Sequence, residues 1–276
     1  MSDKPFQLDL DKAIEAKAPK IYRKIPRFVI NWLKRKVHLD ELNHILDIYR
    51  DEQGVDFAAA CVSYFNLHLK VIGLENISDT GRFIFTSNHP LGGLDGICLS
   101  AVIGKKYDKN IRFPVNDILL MIRNLQNIFI PINKHGSQSR RAAALMDEAY
   151  ESGNQIITFP AGLCSRKQKG VIMDTDWRKN FIQKAIESKR DVVPVHFSAH
   201  NSNFFYRFAN IRKRLGVKFN IEMLYLPDEM FKNKGQTFII TFGEPIPYTF
   251  FDKSKTAAQW AEYVKGKVYN LDKING

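Results

Sequence analysis

The run Phe83-Ile84-Phe85-Thr86-Ser87-Asn88-His89-Pro90-Leu91-Gly92-Gly93-Leu94-Asp95-Gly96 decides how the rest of the chain is read. Its first four residues form a short apolar run of the kind that makes a buried strand. From Leu94 to Ile103 the chain is apolar again and fits a helix. A His and an Asp therefore fall on a glycine-bearing turn between strand and helix. Open α/β sheets bind their ligands at such turns, beyond the carboxyl ends of the strands. Gly92 and Gly93 allow unusual dihedrals and a close approach of backbone to ligand. An Asp within reach of the imidazole orients it, and the His then takes a proton from a hydroxyl or amine. The same spacing also suits a structural turn whose His caps a helix or meets a backbone carbonyl.

Outward from this turn the texture is of short strands alternating with helices. Leu69–Leu74, Ile111–Val115, Ile128–Ile132, Gln155–Phe159, Asp191–Phe197 and Thr237–Phe242 read as further strands. Pro194 lies inside one of them, which places that strand at an edge or a bulge. Helices are expected over Asp117–Leu125, from Ser137 to Ser152, over Trp177–Ser188, Phe204–Leu215 and Thr256–Asn270. This alternation predicts an α/β fold with a mostly parallel central sheet flanked by helices. No internal repeat or low-complexity tract interrupts it.

Before residue 69 the chain is helical in pattern. Residues 20–38 interleave Lys20, Arg23, Lys24, Arg27, Lys34, Arg35 and Lys36 with Ile21, Tyr22, Ile25, Phe28, Val29, Ile30, Trp32 and Leu33. A basic, aromatic-rich amphipathic stretch of this kind suits a membrane surface, or else an ordinary packing helix with a solvated charged face. Asp40 is placed to cap a helix over 41–50. Residues 54–68 form another helix, apolar on most faces. The expected organisation is an N-terminal helical, basic amphipathic region over 1–68 and an α/β domain over 69–276.

The 276 residues are 45% hydrophobic and 25% charged, which marks a globular chain and excludes a disordered one. The formal net charge of +12 calls for an anionic partner: lipid headgroups, nucleic acid, or an acidic or phosphorylated carrier. Three scattered cysteines, Cys61, Cys98 and Cys164, make no disulfide framework and fit a reducing compartment. No apolar run is long enough to span a bilayer, and no secretory signal is visible, so any membrane contact is expected at the surface.

Three more stretches fall at strand ends: Asn127-Ile128-Phe129-Ile130-Pro131-Ile132-Asn133-Lys134, then Thr158-Phe159-Pro160-Ala161-Gly162-Leu163-Cys164-Ser165-Arg166-Lys167, then Val192-Val193-Pro194-Val195. In this order, after Asn88-His89-Pro90, they resemble the four motif blocks of the glycerolipid acyltransferases, the lysophosphatidic-acid and glycerol-3-phosphate acyltransferase superfamily. The resemblance spans about residues 69–245 and ends in Phe242-Gly243-Glu244-Pro245-Ile246. It implies that His89 is a general base, that Asp95 orients it, and that an acceptor hydroxyl attacks a fatty acyl thioester. It implies substrate-binding positions at Asn88, Gly92, Gly93, Phe159, Pro160 and Gly162, with Lys134, Arg166 and Lys167 as anion clamps. Backbone amides at the glycine turn are then candidates to hold the oxyanion. The implied co-substrate is acyl-CoA or an acyl carrier protein thioester. No metal or other cofactor is required. The implied partners are an anionic membrane surface and a lyso-lipid acceptor, with no nucleic acid, and the implied place is peripheral, on the cytoplasmic face of the membrane.

The departures from the family pattern carry information. The family has four residues between its His and Asp, whereas five stand here, Pro90 to Leu94. The third block reads Phe-Pro-Glu-Gly-Thr-Arg-Ser in the family. Here Ala161, Leu163 and Cys164 replace its Glu, Thr and Arg, and Arg166 comes two places late. The second block lacks its Arg at Ile132, with Lys134 two residues on. Retained catalytic groups beside altered anion groups favour a variant acceptor, such as a lyso-aminolipid of the ornithine or glycine kind. The competing readings are a non-catalytic membrane-surface lipid-binding relative and a nucleic-acid-binding protein. No zinc-finger, helix-turn-helix or RNA-binding signature supports the latter. His196 and His200 stand four apart without a convincing third metal ligand. Cys164, beside Arg166 and Lys167, is a conceivable but disfavoured covalent nucleophile. The basic helix around Arg207, Arg212, Lys213 and Arg214 either extends a basic face or is simply solvated.

Overall fold

The computed structural model describes residues 7–17, 19–132, 137–217 and 220–274. In chain order its strands are β1 (His68–Ile72), β2 (Phe83–Ser87), β3 (Ile111–Val115), β4 (Phe129–Pro131), β5 (Gln155–Thr158), β6 (Arg166–Gln168), β7 (Val171–Met173), β8 (Asp191–Ser198) and β9 (Thr237–Phe242). Seven of them form one sheet in the order β1-β9-β8-β2-β5-β3-β4, while β6 and β7 make a separate hairpin. The strands from β8 to β4 are mutually parallel. β9 runs antiparallel to β8 and parallel to β1. The sheet is thus mostly parallel, and β2 lies inside it with all five residues buried.

The helices are α1 (Leu10–Lys17), α2 (Pro19–Tyr22), α3 (Arg27–Lys36), α4 (Leu39–Ile48), α5 (Val55–Tyr64), α6 (Leu94–Lys106), α7 (Ser137–Glu151), α8 (Asn180–Ser188), α9 (Asn203–Arg214), α10 (Leu226–Lys232) and α11 (Ala257–Leu271). They cover both faces of the sheet, as a parallel sheet requires. Alternation along β2 sorts the two cores. Phe83 and Phe85 pack with Phe57, Ala58 and Cys61 of α5 and Cys98, Leu99 and Ile103 of α6. Ile84 packs on the other face with Phe181 and Ile182 of α8 and Trp260, Ala261 and Val264 of α11. Ile45, Leu46 and Phe65 belong to the first of these cores, so the helices before β1 share it with the sheet. The buried Arg190 joins α7 to β8 by donating to the carbonyls of Tyr150, Asn154 and Ser152, which caps the end of α7.

Several expectations are corrected. The helix expected over Asp117–Leu125 is two short 3-10 turns, Asp117–Met121 and Arg123–Leu125. The basic stretch over 20–38 is broken, because Pro26 stands extended (φ −60°, ψ 142°) before α3. Asp40 lies within the first turn of α4 and does not cap it. Of the two places expected for Pro194, an edge or a bulge, the bulge is the one found: Pro194 sits mid-sheet, paired with Thr86 of β2. The sheet tolerates it through a bulge on the other side. Val195 faces Phe242 and Val192 faces Ile246, so the partner segment carries one extra residue across the proline. The carbonyl of Pro194 accepts from Gly243 N at 2.8 Å.

Helices α5 and α6 meet at Gly104. A Cβ there would lie 2.4 Å from Val55 Cγ2, a β-branched side chain with little room to turn. Gly104→Ala gains about 1 kcal/mol of helix preference but meets an overpacking penalty of about 1–3 kcal/mol. The expected outcome is a lower denaturant midpoint with an unchanged slope, and a raised midpoint would show that the helices separate freely.

Candidate active site

The chain leaves β2 at Ser87 and crosses the top of the sheet through residues 88–93 before α6 begins. Asn88, the first residue of the turn, is buried against β8. Its Oδ1 accepts from Phe197 N (2.7 Å) and its Nδ2 donates to Phe197 O (3.0 Å). This amide therefore joins two strands and is not turned toward a substrate.

The five-residue spacing does not part the His from the Asp. His89 Nδ1 donates to Asp95 Oδ2 at 3.0 Å. The same oxygen accepts from the amides of Leu91 (2.9 Å) and Gly92 (3.3 Å), and Oδ1 accepts from Gly96 N (2.8 Å). Gly92 makes the fit possible. Its φ is +81°, and a Cβ would lie 2.7 Å from Leu226 Cδ1, so a side chain there meets both backbone strain and a clash. Gly93 takes an extended φ of −155° and precedes the first turn of α6. The amides of Leu91 and Gly92 are engaged by Asp95, which removes these two from the expected oxyanion donors.

Asp95 is wholly buried. Burial alone would push its carboxyl up, but the His89 ring and the Leu91 and Gly96 amides outweigh it and hold it below the usual range. For His89 burial alone would lower the pKa; the charge and hydrogen bond of Asp95, helped by the charge of Asp174, reverse this and raise it. The His89 side chain keeps 16% of its surface open, and its Nε2 makes no hydrogen bond to any described residue.

The loop after β5 wraps this turn. The Phe159 ring stacks on the His89 imidazole, with centroids 4.1 Å apart and planes 21° apart. Ser165 N donates to the carbonyl of His89 at 2.7 Å. Asp174, which sequence reasoning missed, completes the clamp. Its Oδ1 accepts from His89 N (3.2 Å) and from Ser165 Oγ (2.6 Å), and its Oδ2 accepts from Trp177 Nε1 (2.9 Å). Burial raises the Asp174 carboxyl in spite of these donors. Asp174 follows the short apolar strand β7 with no motif spacing, so only the fold brings it to the His.

The cations divide into two kinds. Arg166 is held by the buried Glu222 (3.0 Å), which also pairs with Arg212 Nε (2.7 Å). Arg166 also donates to Cys164 O (2.7 Å) and contacts Cys164 Sγ (2.9 Å). Its role is first of all structural, and the triad keeps one net positive charge. Arg178 differs. Its backbone N donates to Pro160 O (3.1 Å), and its guanidinium rests on Gly162, where a Cβ would lie 3.1 to 3.3 Å away. Gly162 has φ +66°, so the turn itself favours a bare position there. Arg178 is exposed and forms no ion pair with a described residue, and the sequence offered no signal for it. Lys167 lies on β6 with its carbonyl accepting from Asn210 Nδ2 (3.2 Å). Lys134 lies outside the described residues. Burial pushes the Cys164 thiol up to about 11 despite Arg166, so it is a thiol at neutral pH and a poor nucleophile. His196 and His200 turn to different partners, Asp272 and the Asn201 carbonyl. Among the described residues no three His, Cys, Asp or Glu side chains gather as a metal-binding group.

Residues 12–275 match the family described as Acyltransferase. The chain is 52% identical over 269 residues to a lyso-glycine lipid O-acyltransferase of Bacteroides thetaiotaomicron, covering 98% of this chain and 99% of that one. It is 51% identical to a lyso-glycine lipid O-acyltransferase of Phocaeicola vulgatus, covering 98% and 96%. In fold it resembles the crystal structure of the 1-acyl-sn-glycerophosphate acyltransferase PlsC of Thermotoga maritima, with a TM-score of 0.51 at 16% identity over 90% of this chain and 89% of that one.

An NMR titration of the His89 ring is expected to give a pKa above the ordinary value of 6.5. In Asp95→Asn the charge is gone and the burial remains, so the value is expected below 6.5. An unchanged value in the variant would show that Asp95 does not set the protonation of His89.

Proposed function

The chain belongs to the acyltransferase family, within the glycerolipid acyltransferases, and on that footing we propose that it moves a fatty acyl group from a thioester to the hydroxyl of a lyso-glycine lipid. The observation that carries the proposed chemistry is the 3.0 Å contact between His89 Nδ1 and Asp95, with Nε2 left to face a substrate. With Nδ1 holding its proton for Asp95, Nε2 is the basic nitrogen. It removes the proton of the acceptor hydroxyl as the oxygen attacks the thioester carbonyl. Asp95 stabilises the imidazolium that forms. The C–S bond then breaks, and the departing thiolate takes the proton from His89 and leaves as a thiol. The donor is an acyl carrier protein or coenzyme A thioester. A thioester carries a good leaving group, so one base and an oriented acceptor supply the step.

The charges support this acceptor. A glycine headgroup presents a single carboxylate, where a lysophosphatidic acid presents a phosphate. The third block has lost its own Arg at Cys164, and Arg166 is engaged by Glu222. Among the described residues Arg178, resting on Gly162 one short turn from Phe159, is a cation with no ion pair, and we assign that carboxylate to it. A planar guanidinium suits a carboxylate because it pairs in a bidentate way. The net charge of +12 supports a peripheral place on an anionic bilayer.

Thiol release from an acyl thioester, with lyso-glycine lipid and lysophosphatidic acid compared as acceptors, tests this reading. The expected result is acceptor-dependent release favouring lyso-glycine lipid, lost by about 10²–10⁴-fold in a folded His89→Ala variant. Equal release by that variant removes His89 as the base. Arg178→Gln is expected to raise KM for lyso-glycine lipid roughly tenfold while kcat changes little, the mark of lost ground-state binding. An unchanged KM would clear Arg178 of that role.

A further inference from the structure

We propose that α9 is a second membrane-docking helix, which joins α3 in one lipid-facing surface beside the His89 turn. This rests on the peripheral-membrane side of the reading above and adds an element to it. α9 is apolar on two faces. Phe205, Tyr206 and Ala209 are buried, the first two in a cluster with Cys164. On the outward face Phe204, Phe208, Ile211 and Leu215 follow at helical spacing, and Phe204, Ile211 and Leu215 stand 49%, 53% and 73% exposed. A soluble helix needs only the first of these faces.

Two observations choose the occupant. The first is continuity. The Tyr225 ring sits between the helices, with its centroid 5.2 Å from Phe204, 5.4 Å from Phe208 and 6.2 Å from Trp32 of α3. On α3, Phe28 and Trp32 are themselves exposed one turn apart, so the apolar strip runs from one helix to the other. The second is charge. Neither α3 nor α9 contains an Asp or Glu, and each carries four Lys or Arg, of which Arg27 and Lys34 of α3 pair with Asp11 of α1. Arg207, Lys213 and Arg214 are exposed and form no ion pair with a described residue. An aromatic and aliphatic strip with unpaired cations at its border fits an anionic lipid surface, where the apolar side chains enter and the cations meet headgroups.

The placement has a consequence for the site. α9 and the residues after it are built into the catalytic loop: Glu222 holds both Arg166 and Arg212, and Leu226 packs on Gly92. Asn201, just before α9, donates to the carbonyl of Pro90 at 3.1 Å. A bilayer that seats α9 would therefore fix the height of the His89 turn above the lipid.

The test is co-sedimentation of the full chain with vesicles of phosphatidylcholine alone or with phosphatidylglycerol. Wild type is expected to bind the anionic vesicles, and Ile211→Ser/Leu215→Ser is expected to lower that partitioning by about tenfold or more. Lys213→Glu/Arg214→Glu should do the same and lose the preference for phosphatidylglycerol, which keeps the test open if the first variant fails to fold. Both variants should keep thiol release from a short-chain thioester with acceptor dispersed as monomers. His89→Ala should partition like wild type, so failed catalysis and failed docking are read separately. Unchanged partitioning in the folded α9 variants overturns the proposal, and a raised KM for acyl carrier protein with unchanged partitioning would make α9 a carrier-docking helix instead.

Discussion

A fully buried carboxylate at the head of α6 is the constraint on which the site depends. Taking Asp95 out of water costs several kcal/mol unless its oxygens are satisfied. Here they are, by one imidazole and three backbone amides. Hydrogen bonds to a charged group are worth about 1.5–3 kcal/mol each, so this set offsets the burial. The chain can fold around the carboxylate only if residues 90–94 loop back on it, and that requires the left-handed turn at Gly92. The amides of Leu91 and Gly92 that this turn brings close become ligands of the same oxygen. The dyad and the turn are therefore one structure: the backbone positions Asp95, and Asp95 in return holds the backbone that presents His89.

The rest of the site keeps that turn in place. β2 is held from both sides in the parallel sheet, and Asn88 ties its end to β8. Asp174 and Ser165 grip the backbone of His89 from opposite sides, while Phe159 covers the ring. The covering ring shields the imidazole from water, which alone would lower its pKa, and the charge and hydrogen bond of Asp95 together with the charge of Asp174 outweigh that burial. The Arg166–Glu222–Arg212 triad anchors the same loop to the elements around α9. Breaking it by removing Glu222 would leave two guanidiniums facing each other in a buried place, so its worth lies in position more than in net stability.

Much of this was legible in the sequence, and the failures have physical causes. Buried strands such as β2, β3 and β9 announce themselves as short apolar runs, and their limits agree with expectation to within a residue or two. The stretch over 117–125 misled because apolar residues that cover a sheet edge need not form a regular helix. Pro194 fitted an edge or a bulge, a choice that the sequence leaves open, and the bulge across from it is the one found. His89, Asp95, Phe159 and Gly162 were readable because block order and spacing are local. Asp174 and Arg178 were not, since their closeness to His89 and Gly162 arises from the crossing between β5 and α8. Arg166 was read as an open anion clamp for the same reason: its partner Glu222 is distant in sequence and visible only once α9 folds onto the loop.

The proposed base for acyl transfer is neutral His89, set by Asp95, and kcat/KM against pH for the wild type and for Asp95→Asn tests it. The wild-type profile is expected to rise with pH to a plateau, because the imidazole must lose its proton before it can accept one. The midpoint should lie above the ordinary histidine value of about 6.5, and in Asp95→Asn it should fall below that value on a much lower plateau. A profile flat across this range, or a midpoint that stays in place when Asp95 is replaced, would contradict it.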